Sequence, residues 1–160
     1  MRLRPFAPRD LPALIDLTIE TFRPFYDDYV RALLGEEIFG HQHGHWQQDY
    51  REQVPTLHDP LRGRFVTVGE NDDVIAGYVS WRLGGRPHHG EITLLAVSAP
   101  YRHQRLGYEL CANAIEHMKR DGVDVVEIGT GDDAFHASAR ALYENLGFTK
   151  IPTAAYLKRI

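Results

Sequence analysis

The chain has 160 residues, 43% of them hydrophobic and 25% charged, with a formal net charge of −4. These proportions are typical of a globular domain and exclude a disordered tail, a fibre and a general nucleic-acid binder, which carries a basic excess. The single cysteine, Cys111, excludes an internal disulfide and a cysteine-based zinc cluster. No apolar stretch is long enough for a membrane span or placed as in a signal peptide. We therefore expect one cytoplasmic domain over residues 1–160, without a membrane partner.

In chain order, the first half predicts a strand, two helical regions and a hairpin. Residues 2–6 form a short strand, and Asp10 is the N-cap of a helix whose apolar residues recur at helical spacing. A second, less regular helical region covers about residues 25–50, with breaks near Gly35 and Gly40. Strands at residues 64–69 and 74–83 follow, on either side of a tight turn.

The second half alternates strands with helices. An apolar strand at residues 91–97 precedes a helix whose apolar residues recur every four positions from Leu106 to Met118. A short strand at residues 123–128 precedes a final helix, which Gly147 ends as a C-cap.

The last strands are predicted at residues 148–151 and 154–160, and Asp132 and Asp133 are expected to cap the final helix. Hairpins followed by crossover connections indicate an α/β (α+β) fold. Its sheet is expected to be mixed and mostly antiparallel, with six or seven strands flanked by about four helices.

The junction between the strand at residues 91–97 and the next helix is the strongest sign of a binding site. A basic turn with Arg102 and Arg105 lies between them, and Gly107 stands in the first helical turn. Free N–H groups and the dipole at a helix start attract anions, and the two arginines add positive charge. The pattern predicts a pyrophosphate site, although an ordinary strand–helix connection with solvated arginines has the same spacing.

Two motifs in this half of the chain resemble those of the GNAT superfamily of acyl-CoA-dependent N-acetyltransferases. The family has a Pro/Tyr/Arg turn followed by Arg/Gln-x-x-Gly-x-Gly/Ala at a helix start, and Arg102 and Gly107 match its first and last positions. Arg105 stands where the middle glycine is usual, and His103 replaces another frequent glycine. Residues 141–148 are similar to the family's Leu-Tyr-x-x-x-Gly-Phe segment. The order of predicted elements fits the family over nearly the whole chain.

The resemblance implies a fold with a splayed central strand pair that holds acetyl-CoA. The strand around residues 95–97 would pair through its backbone with the pantetheine arm, and N–H groups of residues 104–108 would bind the pyrophosphate. Arg105 is tolerable in this turn if its φ is negative, and its guanidinium would then bind a phosphate. The cofactor-binding residues implied are Leu95, Ala96, Val97, Arg102, His103, Gln104, Arg105, Leu106, Gly107, Tyr108, His136 and Tyr143.

The implied reaction is direct transfer of an acetyl group from acetyl-CoA to a primary amine, without a metal or a covalent enzyme intermediate. Tyr143 occupies the family's position for the general acid that protonates the leaving thiolate, although a tyrosine packed on the core would fit the same pattern. The backbone N–H of Val97 is the matching candidate for polarising the thioester carbonyl.

The sequence leaves the general base open. Many relatives place a glutamate on the strand before the pyrophosphate turn, where this chain has Thr93 and Leu94. His136 stands seven residues before Tyr143, where many relatives carry an asparagine that touches the cofactor, so it is also a candidate for a cofactor or substrate contact. The candidate bases, acting directly or through water, are Glu91, His88, His89 and His136.

The acceptor is expected to be a small cationic amine that residues 16–59 help to recruit. This stretch contains nine acidic and three basic residues, a formal charge of −6. By resemblance, the first helices and their loop form one wall of the acceptor cleft, where an acidic surface would concentrate a protonated amine. The same carboxylates would also fit a solvated helix face. The predicted substrate-binding residues are Phe25, Tyr26, Asp27 and Asp28.

The sequence also suggests one other site and two other functions. His41, His43 and His45 suggest a metal site, but alternate residues share a face only in a strand, and the flanking pattern predicts helix and loop, so no metal is expected. Two further functions fit the resemblance: a CoA-binding regulatory module without catalysis, and an acetyltransferase for a protein N-terminus or lysine. We expect a monomer or a homodimer.

Overall fold

The sheet has five strands, which lie side by side in chain order in a computed structural model that describes residues 1–160. The first four strands pair antiparallel, and the fifth joins the fourth in parallel. The predicted mixed, mostly antiparallel sheet is therefore confirmed, but with five strands rather than six or seven. The strands are β1 (Arg2–Pro5), β2 (Arg64–Asn71), β3 (Val74–Leu83), β4 (His89–Val97) and β5 (Val125–Ile128).

Five α-helices accompany the sheet, and the second predicted helical region contains two of them. A π-helical stretch, Pro24–Val30, joins the first helix to the second, and Gly35 interrupts the second with a φ of 76°. Gly40, predicted as a break, lies inside this helix. No helix combines the length and the apolarity that a bilayer crossing requires. The helices are α1 (Leu11–Arg23), α2 (Arg31–His43), α3 (Trp46–Gln53), α4 (Leu106–Arg120) and α5 (Ala137–Asn145).

Helices cover both faces of the sheet. On one face, α4 buries Leu106, Leu110 and Met118 in a cluster that also contains Tyr143 of α5. On the other face, Leu14 and Leu17 of α1 pack with buried residues of β2, β3 and β4. These two apolar clusters fix the start of α4 and the whole of α5 beside β4, where the strand order turns from antiparallel to parallel.

The parallel pairing between β4 and β5 is short. It joins residues 89–92 of β4 to residues 125–128 of β5, whereas β4 continues to Val97. The second half of β4 therefore has a strand partner only on its β3 side, through Leu94 to Val97. This split is the splayed strand pair that the resemblance implied, and it opens the space in which the candidate site lies.

The predicted strands at residues 148–151 and 154–160 are wrong. Gly147 ends α5 in a left-handed conformation with a φ of 88°. Phe148 packs against the core cluster, and the residues after it form no strand and are exposed. Arg159 forms an ion pair with Glu37 of α2, so the segment runs over the helical side of the molecule rather than along β5. A strand needs a neighbour for its backbone hydrogen bonds, and this segment has none.

Candidate active site

A cavity of about 670 Å³ occupies the split between β4 and β5. Thr93, Leu94, Leu95 and Val97 of β4 form one wall, and the face of α5 that carries Tyr143 forms another. The turn before α4 contributes Arg102, His103, Arg105, Leu106, Gly107 and Tyr108. No aspartate or glutamate lines the cavity, so its charged groups are cationic. An elongated anionic ligand with apolar parts fits these walls.

The turn at residues 103–108 presents a row of unused hydrogen-bond donors. Six successive backbone N–H groups, those of residues 103–108, donate no hydrogen bond within the chain. Three of these residues stand at the N-terminus of α4, where helix geometry leaves N–H groups without carbonyl partners. Such a row is the ordinary protein site for phosphate oxygens, because the donors converge and the helix dipole adds positive potential.

Two residues of this turn hold the backbone shape that glycine prefers. His103 has a φ of 60° and Arg105 a φ of 66°, and these are the two positions where the family's motif has glycines. The negative φ that would make a side chain at Arg105 tolerable is therefore not present. A left-handed conformation costs a non-glycine residue roughly 1–2 kcal/mol, so the rest of the turn must hold His103 and Arg105 in a backbone conformation that their side chains disfavour. The Arg105 guanidinium lies 5.4 Å from the centre of the Tyr108 ring, at the mouth of the cavity.

The backbone of β4 also offers donors to the cavity. The N–H of Ser98, just after β4, donates to the Ala76 carbonyl of β3. Because successive N–H groups along a strand point to opposite sides, those of Val97 and Leu95 point away from β3 and into the split. The Val97 carbonyl accepts a hydrogen bond from the Arg102 side chain at 3.0 Å, which ties the turn to the end of the strand.

Tyr143 brings its hydroxyl to the cavity from α5. Its ring belongs to the core cluster around α4, and the whole residue is only 9% exposed. The hydroxyl has no hydrogen-bond partner in the chain, yet it is not among the fully enclosed unpaired polar atoms. Burial, with a smaller contribution from nearby Cys111, raises the pKa of this hydroxyl above its ordinary value. Tyr143 therefore holds its proton at neutral pH and can donate it as a hydrogen bond.

His136 is the N-cap residue of α5 and lines the same cavity. Its ring Nδ1 lies 2.8 Å from Oδ2 and 3.0 Å from Oδ1 of Asp133, and its backbone N–H donates to Oδ1 at 3.0 Å. Asp133, predicted as a helix cap, thus binds both the ring and the backbone of His136. Sequence analysis missed this pair, although the spacing Asp-x-x-His before a helix is a signal that could have found it.

The far end of the cavity lies against α1 and α3. Thr21, Phe22, Tyr50 and Gln53 line it there, and the buried Thr21 hydroxyl has no partner in the chain. Sequence analysis placed Phe22 in the apolar pattern of the first helix and Tyr50 in an aromatic-lined surface, but it assigned none of the four to the site. Thr21 and Phe22 lie on α1, and Tyr50 and Gln53 lie on α3, so the four meet only through the packing of two helices that are separate in sequence.

None of the four predicted substrate-binding residues lines this cavity. Two of them contact lining residues: the Phe25 ring packs edge-on against His136 at 4.7 Å between centroids, and the Tyr26 hydroxyl lies 3.5 Å from that of Tyr50. Tyr26 stacks on Trp46, and Asp27 accepts a hydrogen bond from the Trp46 indole N–H. Asp28 is exposed.

Three of the four candidate bases, and the histidines considered for a metal site, lie outside this cavity. Glu91 of β4 forms an ion pair with Arg82 at 2.5 Å and does not line the cavity. His88 and His89 contact the neighbouring Gly122 carbonyl and Glu127. His45 lines a separate cavity of about 410 Å³ beside α2 and α3, and no three side chains of the metal-binding types converge anywhere in the structure.

Comparison with known proteins gives one family. Residues 13–148 match the model of the Acetyltransferase (GNAT) family. An uncharacterized N-acetyltransferase of Bacillus subtilis, YvbK, is 36% identical over 87 residues, which are 54% of this chain and 54% of the relative. The chain spans about half or less of the length of the curated relatives it matches.

Solved structures share the fold at low sequence identity. The PaiA N-acetyltransferase from Thermoplasma acidophilum, solved in complex with coenzyme A, has a TM-score of 0.69 and 15% identity, over 96% of this chain and 92% of that one. An aminoglycoside acetyltransferase from an uncultured soil metagenomic sample, solved with sisomicin, has a TM-score of 0.63 and 16% identity, over 99% and 95% of the two chains.

Proposed function

The chain belongs to the GNAT family of acetyltransferases, and from that premise we propose that it transfers the acetyl group of acetyl-CoA to a primary amine in the cavity between β4 and β5. The observation that carries the proposal is the row of unused N–H groups at residues 103–108, which faces an acid-free cavity. A neighbour of the same fold was solved with coenzyme A, which supports this choice of donor.

The donor would bind along the split. The N–H groups of residues 103–108 would hold its pyrophosphate, and Arg102 and Arg105 would add positive charge. The pantetheine arm would lie along the free edge of β4, where Leu95 and Val97 present backbone donors. Gly107 leaves room for this approach, because it has no side chain between β4 and α5. When bound, acetyl-CoA supplies an activated thioester carbonyl, and the chain's residues orient it.

Direct attack by the amine fits the groups in the cavity. The Val97 N–H would polarise the thioester carbonyl, and the Tyr143 hydroxyl would protonate the departing sulfur. Tyr143 supports this role because its unpaired hydroxyl keeps its proton. We assign no step to Glu91, since Arg82 already neutralises its carboxylate outside the cavity.

The acceptor would be a small amine that is cationic in solution. The surface of residues 16–59 carries a formal charge of −6, which attracts a protonated amine toward α1 and α3. The acceptor end of the cavity has only uncharged side chains, and burial there favours the neutral form of an amine, which is the form that attacks. One protein of the same fold is an aminoglycoside acetyltransferase, and aminoglycosides are polycationic amines, which supports this class of acceptor.

Calorimetric titration with acetyl-CoA tests the donor site. A β-carbon at Gly107 would lie 3.4 Å from Leu142 and 3.8 Å from Leu95 and Val97, all of which line the cavity. A large side chain at this position must therefore enter the space between β4 and α5. We expect Gly107→Phe to weaken acetyl-CoA binding roughly 10-fold or more, about 1.4 kcal/mol.

The matched control is Gly107→Ala, whose single added carbon makes only ordinary van der Waals contacts. It should bind acetyl-CoA nearly as the unmodified chain does, and far-UV circular dichroism should show that both variants are folded. Equal affinity of the unmodified chain and a folded Gly107→Phe variant would place the donor site elsewhere.

A further inference from the structure

We propose that Asp133 and His136 form a dyad in which His136 is the general base for the acceptor amine and Asp133 positions its ring. The inference rests on the proposed acetyl transfer and adds the proton acceptor that the reaction needs. The supporting observation is the set of hydrogen bonds between these two residues at the N-terminus of α5.

The geometry fixes the tautomer of His136. An ionised carboxylate only accepts hydrogen bonds, so the ring nitrogen that faces Asp133, Nδ1, must carry the proton. In the neutral ring, Nε2 is then the unprotonated nitrogen with a free lone pair. Nε2 has no partner within the chain and is not sealed from solvent. Burial opposes the ionisation of Asp133, but hydrogen bonds from the His136 ring and backbone outweigh it, so the pKa of Asp133 lies below its ordinary value.

The dyad is held from several sides. Both side chains are largely enclosed, with 15% of His136 and 8% of Asp133 exposed. The Arg140 guanidinium donates to the carbonyls of Gly131 and Asp133, at 2.7 and 2.6 Å, and so fixes the loop that carries the carboxylate. A β-carbon at Gly131 would lie 2.1 Å from Asp133 Oδ2 and 2.8 Å from His136 Nδ1. The loop thus needs a glycine at this position for the dyad to form.

His136 lines the cavity together with Tyr143, and it also contacts the chain segment that follows α1. It stands seven residues before Tyr143, which places both on one face of α5, about 10 Å apart along the helix axis. Phe25, from the segment that joins α1 to α2, packs edge-on against the imidazole of His136. Phe135, the residue directly before His136, also packs edge-on against this imidazole. A base in this place faces a nucleophile that enters from the α1 side, directly or through one water.

No other group in the cavity is as well placed to accept the proton. The cavity has no carboxylate, and its other imidazole, that of His103, belongs to the turn that would hold the pyrophosphate. The proton balance is simple. As the bond between the amine nitrogen and the acetyl carbon forms and the C–S bond breaks, one proton passes from nitrogen to His136 Nε2. The sulfur takes its proton from Tyr143, and both residues return to their starting states by exchange with solvent.

Asp133→Asn tests the positioning role. The amide oxygen can still accept from the His136 backbone N–H, so the amide NH₂ must then face Nδ1. Nδ1 becomes the acceptor and the ring proton moves to Nε2, which can no longer act as a base. We expect kcat to fall about 10²-fold, with the KM for acetyl-CoA unchanged, and ¹⁵N NMR of the imidazole should show the switch of tautomer. Gly131→Ala should lower kcat as well, because it displaces the carboxylate while both dyad residues remain.

Asp132→Asn is the matched control, because that neighbouring carboxylate is 73% exposed and pairs with Lys150 and Arg140 instead. It should keep the kcat of the unmodified chain. An Asp133→Asn variant with unchanged kcat would overturn the dyad, and so would one whose only defect is a higher KM for acetyl-CoA. If the unmodified chain shows no amine-dependent turnover, the proposed function fails instead, and the tautomer in the NMR spectrum still decides whether Asp133 positions the ring.

Discussion

Tyr143 shows how one side chain can be both a core residue and a candidate catalytic group. Its ring packs with Cys111 and other residues under α4, and this burial keeps the hydroxyl protonated. Tyr143 nevertheless lines the cavity, and its hydroxyl forms no hydrogen bond with another residue of the chain. Sequence analysis treated the two as alternatives: the resemblance implied the catalytic role, and the helix pattern alone fitted a tyrosine packed on the core.

Replacing Tyr143 by phenylalanine separates the two properties. Tyr143→Phe keeps the packing and removes the proton donor, so we expect kcat to fall roughly 10²-fold while acetyl-CoA affinity and thermal unfolding change little. The measurement is steady-state kinetics beside calorimetry. Tyr29→Phe, outside the cavity, is the control and should leave kcat unchanged. A Tyr143→Phe variant with normal turnover would return this hydroxyl to a purely structural role.

Among the elements, the start of α4 packs closely on the sheet at two paired glycines, one on β2 and one on β3. Gly69 and Gly77 are register partners, and Leu106 of α4 lies over both. A β-carbon at Gly77 would lie 2.9 Å from the Ala96 carbonyl oxygen and 3.2 Å from Leu106. The close approach of helix and sheet therefore depends on the absence of a side chain here.

Gly77→Ala should therefore destabilise the protein. We expect the free energy of unfolding in urea to fall by about 1–3 kcal/mol, because the backbone carbonyl of Ala96 cannot move away cheaply. Gly40→Ala is the control: it lies on a helix with no atom within 4 Å of the added carbon, and alanine should stabilise that helix by up to about 1 kcal/mol. Equal unfolding midpoints for the two variants would contradict this account of the packing.

Elements that depend on local pattern could be predicted, and those that depend on distant partners could not. The hairpin of β2 and β3, the helix α4 and the basic turn before it follow from periodicity and turn residues within a few positions. The strands predicted at residues 148–151 and 154–160 have no neighbouring strand, and Arg159 instead forms an ion pair with Glu37 of α2. The acceptor end of the cavity and the contact between Phe25 and His136 join helices far apart in sequence, which no local pattern encodes.

For the whole molecule, charge is divided between two regions. Residues 16–59 carry −6 of a total of −4, so the remainder, which includes the turn before α4, carries +2. The acidic residues of this first region favour the approach of a protonated amine. The cationic turn before α4 favours the binding of a CoA pyrophosphate. Four of the nine acids form ion pairs with arginines, and five form none; the paired acids are Asp27, Glu36, Glu37 and Asp59.

Acetyl transfer to a cationic amine is decided by the release of free CoA thiol from acetyl-CoA, measured with polyamine, aminoglycoside and neutral amine acceptors at increasing ionic strength. We expect release to require an amine, and mass spectrometry to show that the amine gains an acetyl group. The KM for a cationic acceptor should rise with salt, which screens charges beyond about 8–10 Å. A chain that binds acetyl-CoA at the β4–β5 split but releases no thiol with any of these amines would contradict acetyl transfer to a cationic amine, and would favour a CoA-binding module or a protein acceptor.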